Sequence, residues 1–155
     1  MANPFPFSSG DVLTAANLNS IGQWSTYTPV LTSSGTNPNI GNGSVNGYYC
    51  QINEIVFFQA WIQFGTSGTS AGSGTYYVSL PVNAATGSGL NIHMGASWYY
   101  DSSVPAGRAG ISQLATTDKL QMLTTDIVGV TVTSTNPFTW GVNDQIRCAG
   151  SYKAA

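Results

Sequence analysis

The stretch EIVFFQAWIQF, residues 54–64, constrains the fold more than any other part of the chain. Side chains two apart in an extended strand share a face, so the stretch divides into two rows. Val56, Phe58, Ala60, Ile62 and Phe64 form one row, and Ile55, Phe57, Gln59, Trp61 and Gln63 form the other. The first row is wholly apolar and reads as the wall of a core. The second mixes apolar side chains with amides, which suits contact with another subunit better than contact with bulk water.

The rest of the chain supplies partners for this strand. SVNGYYCQI (44–52) precedes it across Asn53, as in a hairpin. TYTPVLT (26–32) reads as a strand in which Pro29 marks an edge. TYYVSLP (75–81), LNIHMGASWYYD (90–101), AGISQLA (109–115), KLQMLTT (119–125) and IVGVTVT (127–133) read as further strands. SSGTNPNIGNG (33–43) and GTSGTSAGSG (65–74) read as a turn-rich loop and a flexible connection. FTWGVNDQIRCAGSYKAA (138–155) closes the chain as a hairpin turning near Asn143-Asp144, with Ile146, Cys148, Gly150 and Tyr152 on one face. Trp140 and Tyr152 are expected near one another in the core. Evenly spaced short strands of this kind predict an all-β fold, a jelly-roll-like antiparallel β-sandwich over residues 25–155.

Residues 1–24 follow a different pattern. A Pro- and Phe-rich start reads as an extended arm, and residues 14–21 read as a short helix. Thr14 has N-cap chemistry, Leu13 and Leu18 have the spacing of a hydrophobic staple, and Gly22 stands where the helix would stop. Two turns fall below the ~12–15 residues an isolated helix needs to persist in water. Such a helix must dock, and Phe5, Phe7, Leu13, Leu18 and Ile21 are the candidate partner-docking residues.

Charge removes several classes of function. Only 6% of the 155 residues are charged, and the net charge is −2. Arg108, Lys119, Arg147 and Lys153 are scattered, which excludes the cationic footprint of a nucleic-acid or anionic-membrane partner. No run approaches the ~18–20 apolar residues of a membrane span, and no basic-then-apolar start marks a secretory signal.

Reactive side chains are few. His93 is the single histidine, and no Gly-x-Ser-x-Gly elbow accompanies it. Glu54, Asp101, Asp118, Asp126 and Asp144 share no strand face, so they form no recognisable acid–base pair. No enzyme activity, cofactor or metal is therefore expected. By parity Cys50 joins Tyr48 and Ile52, and Cys148 joins Ile146 and Tyr152, so both cysteines are expected to face the core. They are either buried free thiols, as suits a reducing cytoplasm, or a close pair if their strands are neighbours. SWYYDSSVPAG (97–107) is the best recognition segment: Trp98, Tyr99, Tyr100 and Asp101 are candidate glycan or receptor contacts. The plainer alternative makes Trp98 a core residue, with Tyr99 and Tyr100 covering a subunit seam.

GDVLTAANLN (10–19) resembles the start of many tailed-phage fibre and minor tail proteins. In those an acidic residue often stands where this chain has Asn17, so the capping box is weaker here. TYTPVLT, GNGSVNGYYCQINEIVFFQAWIQFG (41–65), GTYYVSLPV (74–82) and NPFTWGVNDQIRCAGSYKAA (136–155) resemble successive parts of the same family, in the same order. The resemblance implies a homotrimeric β-domain built into a virion that assembles in the host cytoplasm. Its role would be tail-fibre-like or tail attachment, with contact to a host cell-surface glycan. A head decoration or head-fibre role is the alternative, and a free carbohydrate-binding lectin is a second alternative that would not need the arm.

Overall fold

The computed structural model describes residues 9–12, 14–86, 93–125 and 129–155. Phe5, Phe7 and Leu13 lie outside the described residues. In chain order the elements are α1 (Ala15–Ser20), β1 (Ser25–Tyr27), β2 (Leu31–Ser33), β3 (Asn39–Ile40), β4 (Ser44–Ile52), β5 (Ile55–Gln63) and β6 (Thr69–Ser70). There follow β7 (Tyr76–Ser79), β8 (Gly95–Asp101), β9 (Ala106–Thr116), β10 (Lys119–Thr124), β11 (Val130–Thr131) and β12 (Gln145–Lys153).

The fold is all-β and antiparallel. Its main sheet runs β1-β4-β5-β12-β8-β9-β10-β7-β2, with β11 added to β10, and β3 and β6 form a separate ribbon. β1 and β2 stand at opposite ends of this order, yet only residues 28–30 separate them in the chain. Four backbone steps reach at most ~14 Å. The sheet must therefore curl until its two edges approach, as a half-barrel whose wings form the two layers of a sandwich around one core. Ser79 secures the crossing: its N–H donates to the Val30 carbonyl (3.0 Å), and its hydroxyl accepts from the Val30 N–H (2.9 Å).

This crossing corrects the single strand expected over 26–32. The chain leaves one edge after Tyr27, passes buried Pro29, and joins the other edge at Leu31. A proline cannot donate to a ladder, so the break falls at the residue least able to continue one. The closing segment is also different from the expected hairpin. Residues 138–144 carry no strand, and β12 instead runs alone between β5 and β8. The two presumed loops are tied together: β3 pairs with β6, and the Asn42 side-chain carbonyl accepts from the Thr66 and Ser67 N–H groups (2.8 and 3.0 Å).

β5 alternates as its sequence requires. Val56, Phe58, Ala60 and Ile62 are buried, with Phe64 just beyond them, while Ile55, Phe57 and Gln59 are exposed. Full burial of such a side chain contributes about 1.5–3 kcal/mol, so this one strand anchors much of the core. Trp140 and Tyr152 are both buried but belong to different aromatic groups. Trp140 packs on Phe64, Tyr76, Tyr99 and Phe138, and its indole N–H donates to the Thr133 carbonyl (2.8 Å). Tyr152 packs on Phe58, and its hydroxyl donates to the Val82 carbonyl (2.6 Å). Phe58 and Phe64 are about 20 Å apart along a strand at ~3.3 Å per residue, so the expected proximity of Trp140 to Tyr152 does not occur.

The cysteines are free and buried, but not on one face. Cys50 lies opposite Phe57, on the outer face of the sheet, whereas Cys148 lies opposite Ala60, on the inner face. A pair is impossible with β5 between them. What covers Cys50 is the turn after α1, because a side chain begun at Gly22 would lie 4.0 Å from its sulfur. Burial pushes the Cys148 thiol up from 9.0 to about 11.

Candidate functional site

The outer face of β4, β5, β12 and β8 carries exposed aromatic and amide side chains, among them Tyr48, Gln59 and Trp98. Its layout follows from register, since residues directly opposite across antiparallel strands share a face. One row runs Asn46, Trp61, Arg147, Trp98. The row beside it runs Tyr48, Gln59, Ala149, Ala96. Two alanines side by side leave a low floor next to tall indoles. The result is a depression of about 580 Å³ on the outer face.

Arg147 sits at its centre. The guanidinium carbon lies 5.1 Å from the centre of the Trp98 ring, within cation–π range. One guanidinium nitrogen donates to the Gln145 side-chain carbonyl (2.9 Å), and the Trp61 indole N–H donates to the same oxygen (3.3 Å). Gln145 is the sole hydrogen-bond partner of the Arg147 guanidinium among the described residues, which leaves most of its N–H groups open to solvent. Trp98 is held on its other sides. Tyr100 stacks on it at 5.6 Å with planes 13° apart, and a side chain begun at Gly107 would come within 2.6 Å of the indole. The glycine therefore gives the ring its seat.

The structure separates the four candidate contacts of residues 98–101. Trp98 is exposed and Tyr100 half-buried, both on the outer face. Tyr99 is a correction: it is fully buried, edge-on to Trp140, and its hydroxyl donates to the Leu123 carbonyl (3.2 Å). The plainer alternative is reversed too, because Tyr99 is the core residue and Trp98 is not. The cause is a bulge. Met94 donates its N–H to the Ser112 carbonyl while Gly95 pairs with Ser112, so two residues face one. The bulge switches parity, sending Ser97 and Tyr99 inward and Ala96 and Trp98 outward. Asp101 has its Oδ1 committed to the Ser103 N–H, the Ser103 hydroxyl and the Val104 N–H. The Ser103 hydroxyl and these backbone donors hold its carboxyl below the usual range. It shapes the turn after β8.

Arg147 and the Trp61 side of the depression were missed as recognition residues. The available signal was parity: Arg147 alternates out of phase with Ile146 and Cys148, and Trp61 stands in the mixed row of β5.

The second candidate region is α1. The Thr14 hydroxyl accepts from the Asn17 N–H (3.1 Å), the Ile21 N–H donates to the Leu18 carbonyl (3.3 Å), and Gly22 takes φ +76°. The ends are thus formed as expected, yet no residue of α1 is buried. Leu18 is 53% exposed and Val12 79%. Ile21 is half-buried beside the turn that covers Cys50.

His93 is exposed and stands apart from these groups. Asp144, buried, accepts from the Ser102 and Gly141 N–H groups (2.8 and 2.7 Å) and so joins two turns. Among the described residues no group of three or more His, Cys, Asp or Glu side chains could hold a metal ion. No family model matches the sequence, and no curated protein or solved structure matches it.

Proposed function

We propose that this protein is a structural subunit of a tailed-phage particle, tail-fibre-like or at the tail attachment. The segment through α1 plugs into another virion protein, and the β-domain stands outside, toward the host. The observation that carries this reading is α1 itself. It is a six-residue helix, punctuated at both ends, without one buried residue. Helices so short need tertiary burial to persist, and Leu18 offers an apolar side chain that is 53% exposed. The ordered resemblance of the sequence to phage fibre and minor tail proteins supports the same reading.

The subunit is a homotrimer in this proposal. Ile52, Ile55 and Phe57 are all exposed on one end of the outer face, an apolar patch that a second copy would cover. Analytical ultracentrifugation is expected to give about three chains, and a clean monomer at micromolar concentration contradicts it.

Deletion of residues 1–22 tests the plug. The truncated protein is expected to fold, by circular dichroism, and to be missing from purified particles. Normal incorporation contradicts the plug. Imaging of labelled full-length protein on particles tests its place: label at the tail supports the proposal, and label on the capsid lattice replaces it with a head-decoration role.

A further inference from the structure

We propose that the depression between Trp61 and Trp98 binds a saccharide bearing a carboxylate, with Arg147 holding the acid group. The proposal extends the host-contact part of the functional reading and rests on the outer face alone, not on where in a particle the protein sits.

Size and chemistry both point to it. A volume of about 580 Å³ lies within the ~300–1,000 Å³ common for small-ligand sites. A sugar ring has one face of C–H groups and a rim of hydroxyls. The exposed ring of Tyr48 offers a flat apolar surface for the first, beside the part of the Trp98 indole that Arg147 and Tyr100 leave open. The Asn46 and Gln59 amides, which line the same depression, can both donate to and accept from the second. Ala96 and Ala149 keep the floor low enough for a ring to sit between taller neighbours.

Arg147 decides for an acidic sugar over a neutral one. It is one of four Lys/Arg residues in the chain, and among the described residues no carboxylate lies within ion-pair distance of it. Trp98 and Gln145 fix its position but leave its charge unneutralised. A planar guanidinium with free N–H groups matches a carboxylate in two parallel bonds. Nucleic acid is the wrong anion, because one cation in a chain of net charge −2 cannot neutralise a phosphate backbone. Four of the six acidic side chains that a second copy could offer are poor occupants as well. Glu54 pairs with Lys153 (3.1 Å), and Asp101, Asp118 and Asp144 are engaged in their own turns. An acid from outside the protein fits Arg147 better than these do.

The test is titration of the full-length protein with oligogalacturonate, oligoglucuronate and sialyllactose, read by tryptophan fluorescence and calorimetry. The neutral controls are the methyl-esterified uronates and lactose. At least one acidic sugar is expected to bind saturably, about tenfold or more tighter than its neutral counterpart, since hydrogen bonds to charged groups carry that much. Arg147→Gln should bring the acidic sugar down to the level of the neutral one. Ala149→Tyr, at an exposed position, should block both by filling the floor, while Val104→Ser, at an exposed position outside the depression, should change neither. Circular dichroism melts confirm that each variant is folded. Absence of saturable binding by all three acidic sugars overturns the proposal, as does equal affinity for acidic and neutral forms. It also fails if acrylamide cannot quench Trp61 and Trp98 in the native oligomer, because the face is then a subunit seam. Failure here leaves particle attachment through α1 standing, and failure of that attachment leaves sugar binding standing.

Discussion

α1 and β5 are both short segments with clear sequence signatures, and they are stabilised in opposite ways. α1 has its local hydrogen bonds in place, from the Thr14 cap to the turn at Gly22, and buries nothing. β5 has local bonds only where the turn from β4 brings Ile52 opposite Ile55. It is held by two neighbouring strands along nearly its whole length and by a row of side chains sunk in the core. Capping decides where an element begins and ends, for about 1 kcal/mol. Burial decides whether it persists. An element with the first and not the second would gain its burial only from a partner, and the proposed plug rests on this contrast.

The contrast can be broken most directly at Trp140. Its indole joins four other aromatic rings and is almost fully buried, so Trp140→Ala is expected to cost about 3–5 kcal/mol. Thermal denaturation should show a fall in Tm on the order of 10 °C. A fall of only a degree or two would mean that the core is not centred there.

Alkali probes the same core more gently. Burial raises the Cys148 thiol from 9.0 to about 11 and the Tyr152 hydroxyl from 10.0 to about 12, and it raises Tyr27, Tyr76 and Tyr99 as well. These groups are neutral in the folded protein and ionise more readily once unfolded. Their stabilising contribution is complete below pH 9.0 and is lost progressively as pH rises toward the folded values. Denaturant midpoints should be flat from pH 7 to 9 and fall above that, and Cys148→Ala should lessen the fall. A midpoint unchanged at pH 11 contradicts burial of these groups.

The smallest effect is expected at the cap. Thr14→Ala removes the bond to the Asn17 N–H, worth about 1 kcal/mol to the helix. Because α1 adds no side chain to the core, the melting temperature of the β-domain should not move. A clear drop would show that α1 is part of the domain after all.

What was legible in the sequence follows the same division. The cap, the stop at Gly22 and the two rows of β5 are local patterns, and each was readable because its signal lies within a few residues. Errors arose where distant strands set the answer. TYTPVLT looks continuous, and only the closing of the curled sheet explains why it serves both edges. The bulge at Met94-Gly95 is created by pairing with Ser112, and it alone turns Tyr99 inward and Trp98 outward. Of the recognition segment, Trp98 and Tyr100 were identifiable as exposed aromatics. The partners that make a site of them, Trp61 and Arg147, come from strands 37 and 49 residues away along the chain, by their numbers. No window on the sequence joins them.

Leu18→Asp in the complete chain gives the most direct test of the central claim, with particle incorporation and thermal melting measured on the same variant. The side chain is 53% exposed on a helix that buries nothing, so the charge should leave the melting temperature of the β-domain unchanged and abolish incorporation. If the variant instead enters particles as the wild type does, or if the whole protein unfolds, then α1 is not a plug for another virion protein.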